Sequence, residues 1–143
     1  MRIIIAVLTA LFSTQVYAVC EGSKTLFFCN TQKGKQITVC DSGKTIDYSF
    51  GKAGKPELSV KAPRDQASTF QWAGVGSSIS YSVDIPNSKT VYNVYWSADR
   101  NDEKHAIDAG VNVFINKELK TTVKCSEKGL IQNIEGVDLK PSE

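Results

Sequence analysis

Apolar and polar side chains alternate with a period of two along most of this chain, and Gly, Asn, Asp, Ser or Pro ends each alternating stretch. That is the pattern of half-buried strands joined by turns. Thr25 to Asn30 and Gln36 to Cys40 read as the first two strands. Lys44 to Phe50 sets Ile46, Tyr48 and Phe50 on one face, and Pro56 to Lys61 sets Leu58 and Val60 together. Ser68 to Trp72 carries Phe70 and Trp72 in phase. Ile79 to Ile85 is the cleanest case: Ile79, Tyr81, Val83 and Ile85 face inward, and Ser80, Ser82 and Asp84 outward. Pro86-Asn87-Ser88-Lys89 is a turn. Thr90 to Ala98 is apolar on both faces in part, as a central strand is. Gly110 to Ile115 and Leu119 to Cys125 form a hairpin about Asn116-Lys117, and Leu130 to Ile134 is a last short strand. Helical spacing appears only weakly, over Asp102 to Ala109, enough for a turn or two. The expected fold is all-β: an antiparallel β-sandwich or small β-barrel built of consecutive hairpins.

The first hairpin has a consequence for the cysteines. Lys33-Gly34-Lys35-Gln36 suits a two-residue loop with Gly34 in a left-handed conformation. That register pairs Lys33 with Gln36 and sets Cys29 opposite Cys40, close enough for a disulfide. The expectation is therefore Cys29–Cys40 and, by elimination, Cys20–Cys125, against two other connectivities. The second bridge would close about a hundred residues and contribute roughly 4–5 kcal/mol on the loop-entropy argument.

The start of the chain differs from the rest. Met1-Arg2 precedes an apolar run from Ile3 to Phe12, a polar break at Ser13-Thr14-Gln15, and Val16-Tyr17-Ala18. A cationic start, a short apolar core and small exit residues make a secretory signal, so residues 1–18 are expected to be cut away and 19–143 to form a single domain. The run is too short for a membrane anchor. Val19 precedes Cys20, which argues against a lipid-modified cysteine. All four cysteines lie beyond the cut, and an even count in an exported chain implies two disulfides in a periplasmic or secreted protein. Losing Arg2 takes the basic side chains from 17 to 16 against 15 acidic ones. So even a balance makes no case for nucleic acid or an anionic membrane surface.

The residue types for catalysis are sparse. His105 is the only histidine and sits among carboxylates in Asp99-Arg100-Asn101-Asp102-Glu103-Lys104-His105. With the cysteines in disulfides, a transition-metal site lacks ligands, and the acidic spacing does not match a calcium loop. No Gly-x-Ser-x-Gly elbow is present, and Gly74-Val75-Gly76-Ser77-Ser78 lacks the lysine of a phosphate loop. The expectation is a protein without a cofactor and not an enzyme. Recognition is better provided for. Tyr92 and Tyr95 lie on opposite faces of one strand, and exposed tyrosine and tryptophan make binding hot spots. The longest polar loops, 61–68 and 99–108, supply Arg64, Asp99, Arg100, Asp102 and His105 as binding residues.

Phe28-Cys29, the turn with Gly34, and Gln36-Ile37-Thr38-Val39 resemble the start of the small periplasmic lysozyme inhibitors. The resemblance covers about a fifth of the chain after the leader and implies an exported β-barrel that blocks a muramidase. That family's inhibitory Ser-Gly-x-x-Tyr motif is not matched: Ser42-Gly43-Lys44-Thr45 is followed by Ile46. No lysozyme-binding residue is carried over. The expected function is a non-catalytic binding protein whose partner is another protein, with a peptidoglycan hydrolase inhibited by it as the first partner to test. The alternatives are a small-ligand carrier of the cell envelope and a hydrolase using carboxylates near His105.

Overall fold

The computed structural model describes residues 19–143, so the secretory signal lies outside the described residues. The strands are β1 (Lys24–Asn30), β2 (Gln36–Asp41), β3 (Thr45–Lys52), β4 (Lys55–Pro63), β5 (Ser68–Gln71), β6 (Ser78–Asn87), β7 (Thr90–Asp99), β8 (Ile107–Ile115), β9 (Glu118–Lys124), β10 (Ile131–Gln132) and β11 (Lys140–Pro141). They form a five-stranded sheet ordered β10-β1-β2-β3-β4 and a six-stranded sheet ordered β11-β5-β6-β7-β8-β9. Hairpins join β1 to β4 and β5 to β9, and the C-terminal tail then adds β10 to the first sheet and β11, in parallel, to the second. The fold is the all-β sandwich that the alternation implies. The weak helical spacing at Asp102–Ala109 yields a turn, and β8 begins at Ile107.

The period of two sends one face of each sheet into the core. Ile37, Val39, Ile46, Tyr48 and Val60 from the first sheet meet Tyr81, Val83, Ile85, Val94 and Val111 from the second. The Tyr48 and Tyr92 rings stack across the interface, 4.7 Å between centroids. Leu26 breaks the alternation. It is the extra residue of a bulge between Thr25 and Phe27, which lets Leu26 and Phe27, neighbours in sequence, both be fully buried.

Both expected disulfide pairings are overturned: the bridges are Cys20–Cys40 and Cys29–Cys125. The cause is the length of the first turn. The hairpin closes at Asn30↔Gln36 around a five-residue loop held by Thr31 N–H donating to Lys35 O at 2.7 Å. Cys29 then stands opposite Ile37 on the buried face, whereas Cys40 lies on the outer face, so the two cannot meet. Cys40 takes Cys20 from the N-terminal segment. Cys29 reaches Cys125 just past β9, where the Thr31↔Cys125 bridge and Ser126 N–H to Asn30 O at 2.7 Å join the corners of the two sheets. Two disulfides point to an oxidising environment.

Candidate functional site

Antiparallel order places the β5–β6 and β7–β8 connections at the same end of the six-stranded sheet, and there they join. Ser78 pairs with Asp99, and one step beyond, Arg100 N–H donates to Ser77 O at 2.8 Å. The first loop folds back on Trp72, whose Nε1–H donates to Val75 O at 2.9 Å. Val75 stands at its tip between Gly74 (φ 85°) and Gly76 (φ 90°), conformations that glycine adopts without strain. Its side chain is 83% exposed, more than any other large apolar residue described. The Arg100 guanidinium from the second loop lies 5.4 Å from the Trp72 ring centroid.

Asp102 organises the second loop. Its Oδ1 accepts from Lys104 N–H at 3.1 Å, its Oδ2 from Ala106 N–H at 3.2 Å, and its carbonyl from His105 N–H at 3.0 Å. His105 takes up φ 47° there. Asp99 Oδ1 accepts from Asn101 N–H at 2.9 Å, and Glu127 Oε1 from Ile107 N–H at 3.1 Å. These carboxylates hold backbone, so the arrangement fixes the shape of the loop surface. What it presents is an exposed valine tip together with a tryptophan and an arginine, the last two being residue types enriched at protein hot spots.

Of the residues proposed from sequence, Asp99, Arg100, Asp102 and His105 come together here. Tyr95 lies further along β7 on the outer face of the sheet. Its hydroxyl donates to Asp108 Oδ1 at 3.2 Å, and the Lys124 ammonium, 2.6 Å from Asp108, sits 5.5 Å from the ring centroid. Partial burial pushes the Tyr95 hydroxyl's pKa up, and Asp108 holds the Lys124 ammonium protonated well above its ordinary range. Tyr92 is 9% exposed and belongs to the core. Arg64 is at the opposite end of the sandwich, where it pairs with Asp41 at 2.6 Å and donates to Gly43 O at 3.2 Å and Asp138 O at 2.8 Å. It clips the tail to the first sheet. Sequence reasoning missed Val75 as a binding residue and passed over Trp72 as its support. The signal was an apolar residue between two glycines just after a strand, a tip held out to solvent.

No known family model, curated protein or solved structure matches this chain.

Proposed function

We propose that this chain is an exported, non-catalytic binding protein, periplasmic or secreted, that recognises a protein partner through the loop end built by Trp72, Val75 and Arg100. The exposed Val75, held by the Trp72 hydrogen bond and flanked by Arg100, carries the reading. Loops pinned by their own side chains lose little freedom on docking, which favours affinity. The two disulfides fit an oxidising compartment, and the leader read from residues 1–18 agrees with it. A peptidoglycan hydrolase that it inhibits is the first partner to test.

The experiment uses the oxidised chain from Val19 as bait against periplasmic and culture extracts, beside Val75→Ser, Arg100→Ala and, on the outer face of the other sheet, Ser59→Ala. A partner held by the parent and by Ser59→Ala is expected to be lost from both loop variants, each weakened by about 2 kcal/mol. If the chain slows a muramidase assay no more than buffer does, the binding reading stands but the inhibitor reading is removed. Retention equal in all four baits, or no partner at all, sinks the loop-end reading.

A further inference from the structure

Away from the loop end, the outer face of the six-stranded sheet carries a chain of side-chain hydrogen bonds that crosses it from β5 to β9. Ser68, Asp84, Asn93, Asn112 and Thr122 stand opposite one another in the strand registers. Thr122 Oγ1 donates to Asn112 Oδ1 at 2.7 Å, Asn112 Nδ2 to Asn93 Oδ1 at 3.2 Å, and Asn93 Nδ2 to Asp84 Oδ1 at 2.6 Å. At the other end Ser142 Oγ donates to Asp84 Oδ2 at 2.7 Å. The Asp84 carboxylate accepts only, so it sets the direction of the whole row: a flipped Asn93 would aim oxygen at oxygen. Each asparagine uses one donor and one acceptor in the row and keeps one of each for a ligand.

Two less polar rows flank this strip. Pro86, Val91, Phe114 and Leu119 lie on one side. Phe70, Ser82 and Tyr95 lie on the other, with Phe70 50% exposed. The backbones of Phe70 and Tyr95 are two strands apart, about 10 Å, and the Tyr95 ring is held in place through Asp108 and Lys124. The row itself spans four interstrand steps, about 19 Å. At the β5 end it opens into a surface cleft of about 520 Å³ over Ser68 and Asp84, whose rim carries Lys117, Lys140 and Glu143. The charges balance in number: the cleft is lined by Lys117 and Lys140 and by Asp84 and Glu143, and further along the face Lys124 pairs with Asp108.

We propose that this strip binds an uncharged, β-linked polysaccharide chain laid across the strands. Such a chain is an extended ribbon in which every second sugar presents the same face, and its disaccharide repeat is close to the two-strand backbone step between Phe70 and Tyr95. Sugar rings offer apolar faces for the two aromatic side chains, and their edges offer vicinal hydroxyls for the amides of Asn93 and Asn112. A face dense in hydrogen-bonding groups with no uncompensated charge suits a neutral polyol. With the two signs equal in number, neither an anionic nor a cationic polymer meets a surplus of opposite charge there. The proposal is independent of the loop-end reading, because it uses other residues on another surface.

Affinity electrophoresis through hydroxyethylcellulose and glycol chitin, both uncharged and β-linked, tests it with the oxidised chain. At least one of the two polymers is expected to retard the parent. Phe70→Ala removes a half-exposed ring without opening the core, and is expected to weaken retardation about tenfold, the upper range for one aromatic contact. Asp84→Asn, which frees the row to flip, is expected to weaken it too, whereas Thr38→Ala on the other sheet is not. No retardation by either polymer, retardation only by carboxymethylcellulose, or equal retardation of the parent and Phe70→Ala overturns the proposal. If Asp84→Asn does not fold, Thr122→Val interrupts the same row from the exposed edge and is read in its place.

Discussion

Single residues at close contacts decide more here than composition suggests. Gly110 on β8 faces Lys124 of β9, and a Cβ there would press on the Val123 carbonyl oxygen. The atoms it would meet are all β9 backbone, with no flexible side chain to move aside, so Gly110→Ala is expected to destabilise by about 1–3 kcal/mol in urea unfolding. Arg64 offers a second prediction. Burial pushes the Asp41 carboxyl's pKa up, but the Arg64 hydrogen bond, the Gly43 N–H and the charges of Arg64 and Lys24 outweigh it, and the pKa lies below its ordinary value. A depressed carboxylate stabilises the fold above its unfolded pKa, and that contribution fades as pH falls through the folded one. The unfolding free energy of Arg64→Ala in urea is expected to lie below the parent's at neutral pH by the worth of charge-assisted hydrogen bonds, about 1.5–3 kcal/mol. The gap is expected to shrink as pH falls from about 5 to about 2. A pH-independent gap would assign Arg64's role to its hydrogen bonds with Gly43 and Asp138 alone.

At the scale of elements, strand type and placement were legible because period two is a local property. Ser78–Asn87 shows it: Tyr81, Val83 and Ile85 are buried, and the serines and Asp84 face out, as the alternation requires. The β8–β9 turn was legible for a similar reason, with Asn116 (φ 51°) and Lys117 (φ 66°) taking the left-handed conformations of a two-residue hairpin loop. The β1–β2 turn was not. A two-residue and a five-residue loop both fit the letters from Thr31 to Gln36, and the choice between them shifts the register by an odd number of residues, turning Cys40 away from Cys29. The outcome reverses which bridge spans the core. Cys29–Cys125 closes a separation of 96 residues and Cys20–Cys40 one of 20. On loop entropy they contribute about 4.7 and about 3.3 kcal/mol. Replacing Cys29 and Cys125 together by serine is therefore expected to lower the unfolding free energy more than replacing Cys20 and Cys40. Equal losses would mean that the reduced chain already holds the β1–β9 corner closed.

For the molecule as a whole, the sequence by itself determined the class of the fold, the run of strands and the oxidised state, because alternation, turn residues and a cysteine count are properties of short stretches or of composition. It also brought Asp99, Arg100, Asp102 and His105 forward together, since they share one loop. The tertiary structure decided everything that depends on which distant stretches become neighbours. It set Trp72 and Ser77 beside Arg100, because two hairpin loops emerge at one end of an antiparallel sheet. It sent Arg64 to the other end as a clip and Tyr92 into the core. It aligned Ser68, Asp84, Asn93, Asn112 and Thr122 in one row, although in sequence they are scattered over five strands. The physical reason is common to all three. A side chain's face follows from its neighbours in sequence, but its partners follow from register and sheet order, and those are settled only when the two apolar faces close on each other.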